Sequence, residues 1–261
     1  MPISFGNSVV GTSGINGDKF FISHNNNAAT LLLSDGASGA GSQGKTKMSE
    51  CCVRVVKENP FDPLKQSPKD YIKQMIWKMN NELIDISQKN NNNTFGTVVI
   101  CVVANSNCNS NNNNKKNSKA TFASIGDSPA YLIHNNFIKR IAKTKRSYSN
   151  LVDMGLYTEE ELEKYIHQLP EHMWSMFDRF IPMVVPSYSC EETEIYNGDI
   201  IAICSDGVSD YLQADEIMRL INPFNLEQSV NVIIDTAKNN AIKERSEVQY
   251  DDITLVLYLH E

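Results

Sequence analysis

The sequence has 261 residues, 41% of them hydrophobic and 21% charged, the balance of a soluble globular chain with enough apolar material for one large core. Its formal net charge of -7 argues against a nucleic-acid binder, which concentrates Lys and Arg against phosphates, but leaves room for divalent cations. No apolar run reaches the roughly 20 residues of a membrane span, and the opening MPISFGNSVV lacks the basic and apolar regions of a secretory signal. The expectation is a cytoplasmic protein with no membrane partner. The six cysteines form no C-x-x-C pair, and those in VVICVV and IIAICS read as small hydrophobes in a reducing compartment.

Apolar runs predict strands near 3–10, 18–23 and 29–34, then helices near 45–58 and 68–89. The second helix is the best defined. Ser67 supplies a cap, Pro68 a first-turn proline and Asp70 an early acid. Ile72, Met75, Ile76, Met79, Leu83 and Ile86 follow at helical spacing, a core stripe. Strands near 95–104 and 120–126 bracket an Asn-rich loop, about 105–118, which reads as the long polar tip of a hairpin. It belongs to a wider bias, with 29 asparagines in the chain. Strands near 129–134, 137–141, 191–196, 199–204 and 253–259, with helices near 158–168, 214–221 and 226–244, complete the pattern. Strands outnumber helices and come in consecutive runs, which favours an α+β protein with mainly antiparallel sheets covered by helices.

Two apolar runs end in the same tripeptide. ATLLL leads into Ser34-Asp35-Gly36 and IIAIC into Ser205-Asp206-Gly207. Asp-Gly is a hairpin turn signal, yet each tripeptide is followed by a helical pattern, so an Asp at a strand end that ligates a metal is the other reading. Asp127 ends ATFASIG, Asp251 and Asp252 precede ITLVLYL, Asp18 opens DKFFIS, and Asp210 lies four residues past Asp206. Acids converging from several strand ends repel one another without a counter-ion. An all-oxygen ligand set points to Mg²⁺ or Mn²⁺ over Zn²⁺, and the five histidines show no ligand spacing.

Six segments in this order resemble the type 2C metal-dependent Ser/Thr protein phosphatases, the PPM family, in its compact bacterial form. TSGINGDKF resembles the family's opening segment, LLLSDGASGA its first Asp-Gly segment and FGTVVI its Gly-Thr strand. SIGDSPAYL resembles the Gly-Asp-Ser hairpin, GDIIAICSDGVSD the second Asp-Gly segment and DDITLVL the closing strand. The resemblance implies one phosphatase domain over 1–261, a four-layer α-β-β-α sandwich with two metal ions in a cleft at one end. By motif match, Asp35 bridges the two ions and the Gly36 carbonyl ligates one. Asp206 and Asp251 serve the other, Asp18 holds waters of the metal shell, and Asp127 and Asp210 stand where a weaker third ion binds. Two such ions lower the pKa of a water that attacks phosphorus in line. The implied substrates are phosphoserine and phosphothreonine proteins, with a cognate Ser/Thr kinase as the opposing partner.

Departures from that pattern carry information. Ser13 stands where the family has a phosphate-binding Arg, Gly17 where it has Glu, and Asp252 where it has Asn. Lys45 is the candidate substitute cation for substrate binding, weighed against a solvated loop lysine. No His follows Gly36, so the proton donor is unassigned. The segment about 142–185 resembles the family's flap, with a helix starting at Thr158. In it Met173, Trp174, Met176, Phe177 and Phe180 form a partner surface or pack the flap on the body. Gly39 to Thr46 also satisfies the P-loop pattern G-x-x-x-x-G-K-[ST]. Ser34 to Ser38 separate it from its strand and no β-α-β repeats follow, so a nucleoside triphosphatase is the weakest reading. A catalytically weak regulatory module, motivated by Ser13 and Gly17, is the main alternative to an active phosphatase.

Overall fold

The computed structural model describes residues 3–25, 28–37, 40–90, 94–105, 118–141, 158, 160, 161, 164, 188–244 and 250–261. In chain order the elements are β1 (Ile3–Val9), β2 (Asp18–Asn25), β3 (Ala28–Gly36), α1 (Gly41–Glu58), α2 (Pro68–Asn90), β4 (Gly96–Asn105), β5 (Ser118–Ile125) and β6 (Ala130–His134). They continue with β7 (Phe137–Arg140), β8 (Ser189–Ile195), β9 (Ile200–Cys204), α3 (Asp206–Ser209), α4 (Ala214–Leu220), α5 (Leu226–Glu244) and β10 (Ile253–Leu259). The strands form two five-stranded sheets, β1-β10-β9-β6-β7 and β2-β3-β4-β5-β8, and every pairing is antiparallel.

Alternation along the strands builds three apolar layers, because successive side chains leave a strand on opposite faces. Leu31 and Leu33 of β3, Val99 and Cys101 of β4, and Val256 and Tyr258 of β10 meet between the sheets. Their neighbours Leu32, Val98, Ile100 and Val102 face outward under α1 and α2. Leu255 and Leu257 of β10 face the other way, under Val230, Ile233, Ile234 and Ala237 of α5. Helices thus cover both outer faces, the four-layer α+β sandwich expected.

The α2 stripe from Ile72 to Leu83 lies in the outer core. Its cap is formed as read, with the Asp70 N–H donating to Ser67 Oγ at 3.2 Å. The β6–β7 hairpin turns on Asn135 and Asn136, both at positive φ, as a two-residue turn requires. Two boundaries differ from expectation. The glycine-rich run after β3 enters α1 four residues earlier than its low helix propensity suggests. The helical pattern after Gly207 breaks into α3 and α4, where Gln213 opens a capping box with Glu216.

Thr158 and Glu161 make reciprocal capping contacts at the expected helix start. The rest of the flap-like segment, including Met173, Trp174, Met176, Phe177 and Phe180, and the Asn-rich tip at 106–117 lie outside the described residues. Among the described residues no helix is long and apolar enough to cross a membrane.

Candidate active site

Strand register carries the acids to one end of the sandwich. Asp18 lies opposite Asp35 in the β2–β3 pair, and Asp35 opposite Thr97 at the start of β4. β9 ends at Cys204, opposite Leu255 near the start of β10, so Asp206 and Asp251 flank neighbouring strands at one rim. Asp127 lies between β5 and β6, whose first residue Ala130 pairs with Ile203 of β9. Asp210 closes the single turn α3 that begins at Asp206.

The charges feel one another. Burial, and then Asp18, Asp206, Asp251 and Asp127, push the Asp35 carboxyl well above the usual carboxylate range. Burial, and then Asp251, Asp127, Asp18 and Asp210, do the same to Asp206. Asp18 is raised to about 6, chiefly by burial. The Thr254 hydroxyl pulls it the other way by donating to Asp18 Oδ2 at 2.7 Å, while the charge of Asp252 adds to the rise. The site grades outward, with Asp18 and Asp35 buried, Asp127 and Asp206 partly buried, and Asp210 and Asp251 exposed.

This donor set is hard oxygen throughout, which fits Mg²⁺ or Mn²⁺. Among the described residues no three His, Cys, Asp or Glu side chains form a ready-made ion cage. Mg²⁺ keeps several waters and needs only one or two carboxylates. An open acidic rim is therefore compatible with such ions.

A cavity of about 440 Å³ opens on this rim, lined by Asp127, Tyr131, Arg140, Asp206, Ser209, Asp210, Leu212, Gln213 and Ala214. A groove of about 490 Å³ along α1, past Lys19, Glu50 and Arg54, contains none of these aspartates. Arg140, exposed at the end of β7, donates from Nη2 to the Asp127 carbonyl at 3.0 Å. Sequence reading passed over Arg140 because a lone Arg at a strand end belongs to no motif. The available signal was hairpin register, which pairs it with Tyr131, four residues past Asp127.

The comparisons with known proteins follow the same lines. A curated relative from Streptococcus pyogenes serotype M6, named "Putative protein phosphatase 2C-type", is 25% identical over 210 residues, covering 79% of this chain and 78% of the relative. The serine/threonine phosphatase of S. agalactiae matches with a TM-score of 0.72 at 18% identity, with 100% of both chains covered. This is the type 2C phosphatase fold. The Mycobacterium tuberculosis phosphatase PstP/Ppp shares it with a TM-score of 0.70 at 19% identity, over 100% of this chain and 99% of the other. The catalytic domain of PstP solved with two manganese ions matches at 0.62 and 17% identity, over 99% and 97%. No family model matches the sequence.

Within the type 2C fold, neither Asp-Gly pair makes a hairpin turn. A Cβ on Gly36 would sit 2.1 Å from the Lys45 carbonyl oxygen, and one on Gly207 2.1 Å from that of Asp252, so both glycines allow backbones to touch. Lys45 is not the solvated loop residue weighed above. It lies on α1, buried, with Nζ 3.0 Å from Asp252 Oδ2 and 3.0 Å from Ser13 Oγ. The P-loop reading fails for the same reason. Its lysine points into the protein body, and the strand before it pairs with antiparallel neighbours.

Proposed function

We propose that this protein is a Mg²⁺- or Mn²⁺-dependent phosphatase that hydrolyses phosphoserine and phosphothreonine in proteins and opposes a Ser/Thr kinase. The observation that carries the reading is the convergence of Asp18, Asp35, Asp127, Asp206, Asp210 and Asp251 on one rim of a type 2C fold. Asp35, the Gly36 carbonyl, Asp206 and Asp251 would hold two ions, with Asp127 and Asp210 suited to a weaker third. Bound there, the ions would lower the pKa of a water and neutralise phosphoryl oxygens. The relative solved with two manganese ions supports that stoichiometry.

The chain's own residues supply the rest. Asp18, held by Thr254, is an acceptor that orients water at the back of the site. The aspartates that line the cavity suit attack by a metal-activated water. Arg140 faces the same cavity and supplies the guanidinium that position 13 lacks, a donor suited to phosphoryl oxygens. Arg140→Ala is expected to raise KM for a phosphothreonine peptide roughly tenfold with little change in kcat, the cost of one charge-assisted hydrogen bond. A kcat loss at constant KM in steady-state assays would instead place Arg140 outside substrate binding. The free thiols of Cys51, Cys52, Cys101, Cys190 and Cys204 favour a reducing, cytoplasmic setting.

The test is phosphate release from p-nitrophenyl phosphate and a phosphothreonine peptide, with Mn²⁺, with Mg²⁺ and with EDTA. Turnover that needs metal is the expected result. Metal binding by calorimetry without turnover would favour the regulatory module, a reading that Ser13 and Gly17 motivate.

A further inference from the structure

We propose that Lys45 and Asp252 form a buried positioning pair that ties the opening loop, α1 and the start of β10 into one unit and thereby sets the floor of the metal site. The inference rests on the phosphatase reading only for its activity readout. One carboxylate gathers three segments. Asp252 Oδ1 accepts the Gly11 N–H at 2.7 Å, and Oδ2 accepts the Gly17 N–H at 2.7 Å and Lys45 Nζ at 3.0 Å. Lys45 Nζ also donates to Ser13 Oγ at 3.0 Å. Both ends of the loop from Gly11 to Gly17, its middle, and a helix thus converge on one ion pair. Its side chains are 3% and 2% exposed.

What the pair touches is what the site needs. Gly17 immediately precedes Asp18, and Asp252 immediately follows Asp251. The Gly17 carbonyl accepts the Gly36 N–H at 3.2 Å, and Gly36 is pressed against the Lys45 backbone. Asp251 is one covalent step from the pair, and Asp18 and Gly36 are each one covalent or hydrogen-bonded step from Gly17, which donates to Asp252. In a water-poor interior neither charge is tolerable without the other, because desolvation of a lone ion outweighs what neutral neighbours return. The residue types around the pair fit it. A Cβ on Gly17 would lie 2.7 Å from Lys45 Cδ, so the lysine stem needs a glycine there. Ser13 presents an acceptor to the ammonium where a cation would repel it. The changes at positions 13, 17 and 252 and the buried Lys45 therefore form one matched set.

A double-mutant cycle tests this. Lys45→Met keeps the stem and removes the charge, and Asp252→Asn removes the opposing charge. Each is melted with EDTA, titrated with Mn²⁺ by calorimetry, and assayed. Lys45→Met alone is expected to lower Tm by roughly 10 °C. It should also weaken Mn²⁺ binding about tenfold, the scale at which residues supporting metal ligands act, and reduce kcat with KM nearly unchanged. Adding Asp252→Asn should recover most of the Mn²⁺ affinity. A lower Tm with normal Mn²⁺ affinity would reduce the pair to a structural one and overturn the proposal. So would a higher KM at constant kcat, which would mean that Lys45 touches substrate. Should Lys45→Met not fold, Asp252→Asn alone breaks the pair from its other side and leaves the space around Gly17 and the Gly36 carbonyl unchanged. Weakened Mn²⁺ binding supports the proposal there, and unchanged binding overturns it. If the wild type shows no turnover, the phosphatase reading fails, while melting and Mn²⁺ titration still decide the pair.

Discussion

Asp206→Ala and Asp35→Asn are expected to abolish metal-dependent phosphate release while the protein stays folded. Asp35 sits at the end of β3 opposite Asp18 and within the influence of Asp18, Asp206, Asp251 and Asp127, and in the proposed reading it would be shared by both ions. Asn at this position keeps the shape but loses the charge, and its amide is a poor bridging ligand. Loss of a residue that merely supports a metal ligand costs roughly 10- to 100-fold, so loss of a ligand should exceed that. Neither side chain belongs to the three apolar clusters, and removing either creates no core cavity, so circular dichroism should be unchanged. Initial rates at saturating Mn²⁺ provide the check, and turnover within tenfold of wild type in either variant would remove that residue from the site.

The second large effect concerns the metal-free protein, which should become more stable when a site carboxylate is neutralised. Asp18 is raised from 3.8 to about 6, and Asp35 and Asp206 are raised well above 3.8. In each case the folded protein holds its protons more tightly than the unfolded chain does. Linkage then gives a stability that falls as pH rises from about 4 through 6 and beyond, because the unfolded state releases those protons first. Divalent cations favour the charged forms and should flatten the profile. In EDTA at pH 7.5, Asp35→Asn should raise Tm by several degrees, at about 2–4 °C per kcal/mol for a chain of this size, and should also lose most of the Mn²⁺-induced shift. Melting curves from pH 5 to 8, with EDTA and with Mn²⁺, provide the measurement. A metal-free Tm that climbs with pH, or a Tm lowered by Asp35→Asn in EDTA, would contradict the convergence of charges. Such a gain in stability with loss of activity is the usual relation at a working site.

Much of this was legible in the residues. The α2 stripe, the Ser67 cap, the alternation in β3, β4 and β10 and the aspartates at strand ends all follow rules that operate within a few residues. The early start of α1 was hidden because glycine disfavours helix, while tertiary contact between Gly36 and Lys45 holds the run in place. Arg140 was hidden because one arginine beside a hairpin turn carries no pattern. Lys45 was visible but misplaced, since its neighbours suggested a solvated loop.

The sequence by itself determined the inventory, namely which segments are strands, which helices, and which strand ends carry acids, because backbone propensity and side-chain periodicity are local. Only the tertiary structure decided what the acids do together. Asp18 faces Asp35 through one strand register, and a one-residue slip would turn one of them to the opposite face. Lys45 and Asp252 are 207 positions apart, and nothing local to either marks the other as its partner. Their pairing depends on two sheets packing face to face and closing one end, which excludes water from the contact. Burial, which shifts the acids and makes a lysine indispensable to one carboxylate, is a property of the packed molecule.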